Sequence, residues 1–200
     1  MDKVEMKGVI MNAIERIAQM TLDEFIEAYN RQPFEFVNGE KRPLMPNVAI
    51  HQWILRALFR LLDAYCVAGQ LGEVMFELPV VETYDANWVK GSRTPDLMFF
   101  KAEKWAQYTA ETENWLKKPA LIVPDLAVEI LSPNDSFSEL QEKVDEYLER
   151  GVLLVWVIDP QKKRVYVYHD DHKLTLSVKD TLTGGEVIPG LEIRLSELLR

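Results

Sequence analysis

The chain is poor in cysteine, in positive charge and in linker-like sequence. Cys66 is its only cysteine, which rules out an internal disulfide or a multi-cysteine zinc site and fits a reducing cytoplasm. No stretch approaches the roughly 18 consecutive apolar residues of a membrane-spanning helix. The opening MDKVEMKGVIMNAIERIAQM has no apolar leader core and is too acidic for a transit peptide, so secretion or import is not expected. Lys and Arg number 23 against 32 Asp and Glu, a net charge of −9. That balance argues against an avid, non-specific coat on nucleic acid, and any contact with DNA has to be weak or specific. Small basic patches remain at Lys41 with Arg42, at Lys101, Lys104, Lys117 and Lys118, and at Lys162-Lys163-Arg164. Each reads first as a solvated face or turn. Repeats, low-complexity tracts and Pro/Gly/Ser-rich linkers are also missing, so a single domain over residues 21–200 is the simplest organisation.

What is present is a core-forming chain, 48% hydrophobic, long enough to bury a substantial interior. Residues 1–20 form the exception to the single domain. Met6, Ile10, Ala13, Ile17 and Met20 lie along one face of an amphipathic helix, which has to cover an edge or meet a second copy. A homodimer is therefore expected, since two-fold pairing is the commonest way to cover such a face. Thr21 and Glu24 make a capping box for a short helix. FEFV-NG-EKRPL reads as a hairpin with Asn38-Gly39 at a type I′ turn. A long helix spans about Val48 to Ala68, EVMFELPVVET reads as one strand, and YDANWVKGSR as a loop leading to the strand DLMFF. A partly helical stretch rich in tryptophan leads to the strand ALIVPDLAVEIL. The helix SFSELQEKVDEYLERG, the strand VLLVWVID and the hairpin RVYVYH/KLTLSV follow. This order predicts a mixed α/β or α+β sheet with a helix packed on at least one face.

The chemistry is carried by residues that break these patterns. In the last-named helix Leu140, Val144, Tyr147 and Leu148 form an apolar stripe, and Lys143 occupies a position of that stripe. A lysine turned toward a core has to snorkel out or meet anions. Glu129 sits inside the apolar strand PDLAVEIL, where an unpaired charge is costly. Alternation puts Asp125, Ala127, Glu129 and Leu131 on one face and Leu126, Val128 and Ile130 on the other. Asp125 is displaced from Glu129 by about 13 Å along the strand, too far to share an ion. Asp96, at the head of another strand, is the better partner. Two carboxylates with water and a phosphate match the oxygen-rich coordination of magnesium or manganese, with the carbonyl of Ile130 as a third ligand. Lys143 would then stand by the attacking water and the phosphate.

The segments RTPDLMFF, PDLAVEILSPNDSFSELQEKVDEYLERGVLLVWVIDPQKKRVYVYH and LTGGEVIPGLEI, in this order, resemble the Uma-type restriction endonucleases, a bacterial branch of the PD-(D/E)XK nuclease superfamily. FEFVNGEKRPLMPNVAIHQWILRALFRLL fits as well, and the resemblance runs from Leu22 to Leu199. It implies a restriction-endonuclease-like core, a mixed sheet flanked by helices, acting as a magnesium-dependent endonuclease on DNA. It aligns Asp96 with the acid of the PD motif and Glu129 with the acid of the second motif. The lysine of that second motif falls at Leu131, so the resemblance assigns its role to Lys143 on the next helix. Glu40, after the hairpin turn, is added as a catalytic candidate because such nucleases often draw an acid from an early element.

Each of these residues also has a plainer reading. Asp96 could cap a turn or pair with Arg93, Lys143 could pair with Glu139 along its helix, and Glu40 could be a hairpin-edge acid. His51 reads first as a helix-start residue with a satisfied hydrogen bond. His169 and His172 read as exposed turn residues rather than zinc ligands. Trp53, Trp105, Trp115 and Trp156 read as packing residues, and Trp88 as a loop residue able to stack on a base. Against the metal-dependent endonuclease stand a nuclease-fold module that only binds nucleic acid or protein, and a purely oligomeric interaction protein.

Overall fold

The computed structural model describes residues 20–85, 87–133, 135–170 and 172–199. Apart from Met20, the amphipathic helix expected over residues 1–20 lies outside them. In chain order the elements begin with β1 (Met20–Thr21), α1 (Leu22–Arg31), β2 (Phe34–Val37), β3 (Glu40–Pro43) and α2 (Ala49–Gly69). Next come β4 (Gly72–Phe76), β5 (Val80–Thr83), β6 (Trp88–Arg93), β7 (Leu97–Lys101) and α3 (Ala102–Glu111). The chain continues with β8 (Leu126–Ile130), α4 (Phe137–Glu149), β9 (Leu154–Asp159), β10 (Arg164–His169) and β11 (His172–Ser177). It closes with β12 (Thr181–Thr183), β13 (Glu192–Arg194) and α5 (Leu195–Leu198). These elements gather into two compact units, each assembled from separate stretches of chain.

Of the described residues, the first unit takes 20–45 together with 79–94 and 116–122. Its sheet runs β1-β6-β2-β3, with β5 also paired to β6. Asn38 and Gly39 both have positive φ, 52° and 81°, as the two central residues of a type I′ turn require. Thr21 and Glu24 close the expected capping box on α1. That helix lays Leu22 and Phe25 against Phe34, Phe36, Val81 and Val89. Inside this unit Arg93 donates to Glu35 at 2.8 Å, and both side chains are buried.

The second unit takes residues 46–78, 95–115 and 123–200. Its six-stranded sheet has the order β11-β10-β9-β8-β7-β4. Only β8 and β9 run parallel, with Leu126 beside Leu154 and Glu129 beside Val157. Parallel neighbours need a crossover, and α4 supplies it. The alternation along β8 divides the unit's core as the sequence predicts. Leu126, Val128 and Ile130 join Ile54, Leu58 and Leu62 of α2. Ala127 joins Leu140, Val144 and Tyr147 of α4. The sheet therefore carries a helix on each face, and the expected mixed α+β class holds. The β12–β13 ribbon and α5 add Leu182, Ile193, Leu195 and Leu198 to the α2 face. Among the described residues no helix is long and apolar enough to cross a membrane.

Three local expectations are corrected. EVMFELPVVET is not one strand but two, β4 and β5, which belong to different sheets. The break falls at Glu77, whose φ is 51°, two residues before Pro79, which cannot donate to a ladder. The stretch read as a loop holds β6, with Trp88 as its first residue, paired to Thr21. Trp53 is not a packing residue, since it is 64% exposed.

Candidate active site

The site forms within the second unit, where β7 and β8 stop pairing. Their ladder runs antiparallel from Phe99 beside Leu126 to Leu97 beside Val128. One step further, Asp96 and Glu129 stand at the end of that ladder. Past it, Oδ2 of Asp96 accepts the backbone N–H of Ile130 at 2.6 Å. Ile130 thus meets Asp96 through its N–H, whereas the sequence reading gave its carbonyl to a metal. The fold explains why Asp96 is found here: the preceding Pro95 has no N–H to add to a ladder, and the carboxylate caps β8 instead.

Glu129 points to the α4 face and is 7% exposed. Its carboxylate is met by two residues of that helix. Oε1 accepts the hydroxyl of Tyr147 at 2.5 Å, and Oε2 lies 3.4 Å from Nζ of Lys143. Helical geometry accounts for the pairing, because residues four apart lie on one face. Ser136 caps α4 by accepting the N–H of Glu139, and its hydroxyl donates to the Glu139 carboxylate at 2.8 Å. The Lys143 side chain is 23% exposed, so its ammonium reaches the acid while remaining open to solvent. This is the anion that its place in the apolar stripe called for.

The second unit also brings residues that the sequence reading left aside or missed. His51 is buried at 2% exposure, and its Nε2 lies 3.0 Å from Oδ2 of Asp96. Burial pulls the imidazole pKa down. The hydrogen bond to Asp96 and the negative charges of Asp96, Glu77 and Glu129 outweigh that, leaving it raised above the ordinary histidine value. Glu77 itself donates its backbone N–H to the carbonyl of Asp96 at 3.2 Å. Its Oε1 accepts from Asn47 at 3.0 Å and from Gln52 at 3.2 Å. Tyr147 looked like one more apolar stripe residue, and no sequence signal separated its hydroxyl from its ring.

The family model Uma2, described as "Putative restriction endonuclease", matches residues 22–196. The chain belongs to the Uma2 family. The structure is similar to the crystal structure of "a putative nuclease belonging to DUF820" from Anabaena variabilis. The TM-score is 0.74 at 20% identity, over 90% of this chain and 97% of that one. Identity that low speaks for a shared fold and for nothing finer. No curated protein matches the chain.

In this Uma2 chain the remaining sequence candidates lie outside β7, β8 and α4. Glu40 is exposed on β3 of the first unit. His169 and His172 face each other as the last pair of the β10–β11 hairpin, and both are exposed. Asp125 accepts the N–H of Lys101 at 2.8 Å and pairs with Lys104 at 3.3 Å, which ties the start of β8 to α3. Two carboxylates at one ladder end suit magnesium or manganese, which use one or two protein carboxylates and leave the rest to water and phosphate. Among the described residues no three His, Cys, Asp or Glu side chains are grouped to hold a metal.

Proposed function

We propose that this protein is a metal-dependent endonuclease that hydrolyses phosphodiester bonds in DNA. The observations that support the reading are the Lys143–Glu129 contact at 3.4 Å and the bond from the Ile130 N–H, the next residue of β8, to Asp96, in a chain of the Uma2 family. Asp96 and Glu129 are the residues that would hold magnesium or manganese, with the Ile130 carbonyl as a further oxygen. When bound, such a cation supplies Lewis-acid polarisation of a phosphoryl oxygen and a more acidic water. Lys143 holds an ammonium 3.4 Å from Glu129, placed to offset the charge that builds on the phosphate oxygens as water adds and the sugar oxygen leaves. Tyr147 and His51 each fix one carboxylate, so the acids are oriented before substrate arrives. A homodimer would let one assembly address both strands.

Calorimetric titration with manganese tests the metal half directly. The expected result is a binding isotherm for the wild type that disappears in Asp96→Asn, with thermal unfolding of the variant unchanged. Equal binding in both would move the cation site elsewhere.

A further inference from the structure

The two nitrogens of His51 have unequal surroundings. Nε2 faces Oδ2 of Asp96 at 3.0 Å, while Nδ1 is buried with no hydrogen-bond partner among the described residues. A neutral imidazole carries one N–H and one bare lone pair, so its two tautomers can be compared atom by atom. With the proton on Nδ1, a buried N–H would go unpaired, and the Nε2 lone pair would point at a carboxylate oxygen. Both features are costly. With the proton on Nε2, the N–H donates to Asp96 and only a lone pair is left without a partner. An imidazolium also donates from Nε2.

Asp96 is unequal in the same way. Its Oδ2 receives both donors, His51 from α2 and the Ile130 N–H from β8 at 2.6 Å. Among the described residues no donor is recorded on Oδ1. Two donors from two different elements fix the rotation of one carboxylate and occupy the same oxygen. We infer that His51 is a positioning residue of the site: its Nε2–H pins Oδ2 of Asp96 and leaves Oδ1 as the oxygen presented to a divalent cation. The inference rests on the metal reading above. Outer hydrogen-bond partners of this kind orient metal-binding carboxylates, and losing one commonly costs about 10- to 100-fold in metal affinity.

Two measurements test it. The first is long-range proton–nitrogen NMR on the metal-free protein, with the His51 signals assigned by their loss in His51→Gln. His51 Nε2 is expected to bear a proton. An unprotonated Nε2 overturns the inference whatever the metal does. The second is manganese titration of His51→Leu and His51→Gln, each checked by thermal unfolding. Leucine fills the space without a donor, and glutamine restores an N–H near the Nε2 position. The expected outcome is a loss of about tenfold or more in manganese affinity for His51→Leu and recovery toward the wild-type value in His51→Gln. Wild-type affinity in a folded His51→Leu overturns the inference. So does an equal loss in both variants, since it ties affinity to the ring's packing rather than to its donor. If wild type takes up no manganese while Nε2 is protonated, the hydrogen bond stands and the metal reading is what fails.

Discussion

At the scale of single residues, the site is a set of acids held by unlike donors. Glu129 is met by a tyrosine hydroxyl and a lysine, and Asp96 by a histidine and a backbone N–H. The sequence disclosed the acids and the lysine because each violates a pattern: an acid within an apolar strand, an acid at a strand head, a cation within an apolar stripe. It hid the Tyr147 hydroxyl, because that residue violates none and fills an apolar position with its ring. His51 was named at the start of its helix, but its partner was not. Tyr147→Phe separates ring from hydroxyl. Losing a buried hydrogen bond to a charged acceptor is expected to cost about 1.5–3 kcal/mol, read as a lower midpoint in urea unfolding. Lys143→Met keeps the length of the side chain and removes only its charge. Manganese affinity is expected to hold while the cleavage rate falls on the order of a hundredfold, measured under single-turnover conditions. Cys66 belongs to the core rather than the chemistry. Burial, helped by the charge of Asp63, pushes its thiol pKa to about 11. At pH 8 the thiolate is scarce and the sulfur is enclosed, so iodoacetamide should label it only after unfolding, as mass spectrometry of native and denatured samples would show.

At the scale of elements, alternation and helical period were enough wherever an element meets one environment along its length. β8 has α2 on one face and α4 on the other, and its two faces were readable residue by residue. The reading failed where one apolar run serves two sheets. EVMFELPVVET keeps its hydrophobic character through the break, and the only local signal was Pro79. WVKGSR was missed because lysine, glycine and serine dilute the period, although Val89, Gly91, Ser92 and Arg93 are buried. The element that matters most for the site is α4, which carries both Lys143 and Tyr147. Its start is fixed by the Ser136 cap. Ser136→Ala is expected to cost about 1 kcal/mol of stability, visible in chemical denaturation, with the sheet otherwise intact.

At the scale of the whole molecule, a net charge of −9 sets the terms on which DNA could be met. The net charge gives no overall Coulomb attraction to a polyanion, so a productive encounter would depend on local contacts. The family and the fold were legible in the order of separate motifs across nearly the whole chain. The division into two compact units was not, because each is assembled from stretches far apart in sequence and no linker marks the passage between them. The claim on which everything else rests is that Asp96, Glu129 and Lys143 form a working hydrolytic site. Its most direct test is cleavage of supercoiled plasmid DNA by wild type and Glu129→Gln, each with magnesium or manganese and with chelator. Nicking or linearisation by wild type alone, lost on chelation, with Glu129→Gln folded and inactive, is the predicted result. Equal cleavage by Glu129→Gln, or none by a wild type that binds the metal, would contradict it.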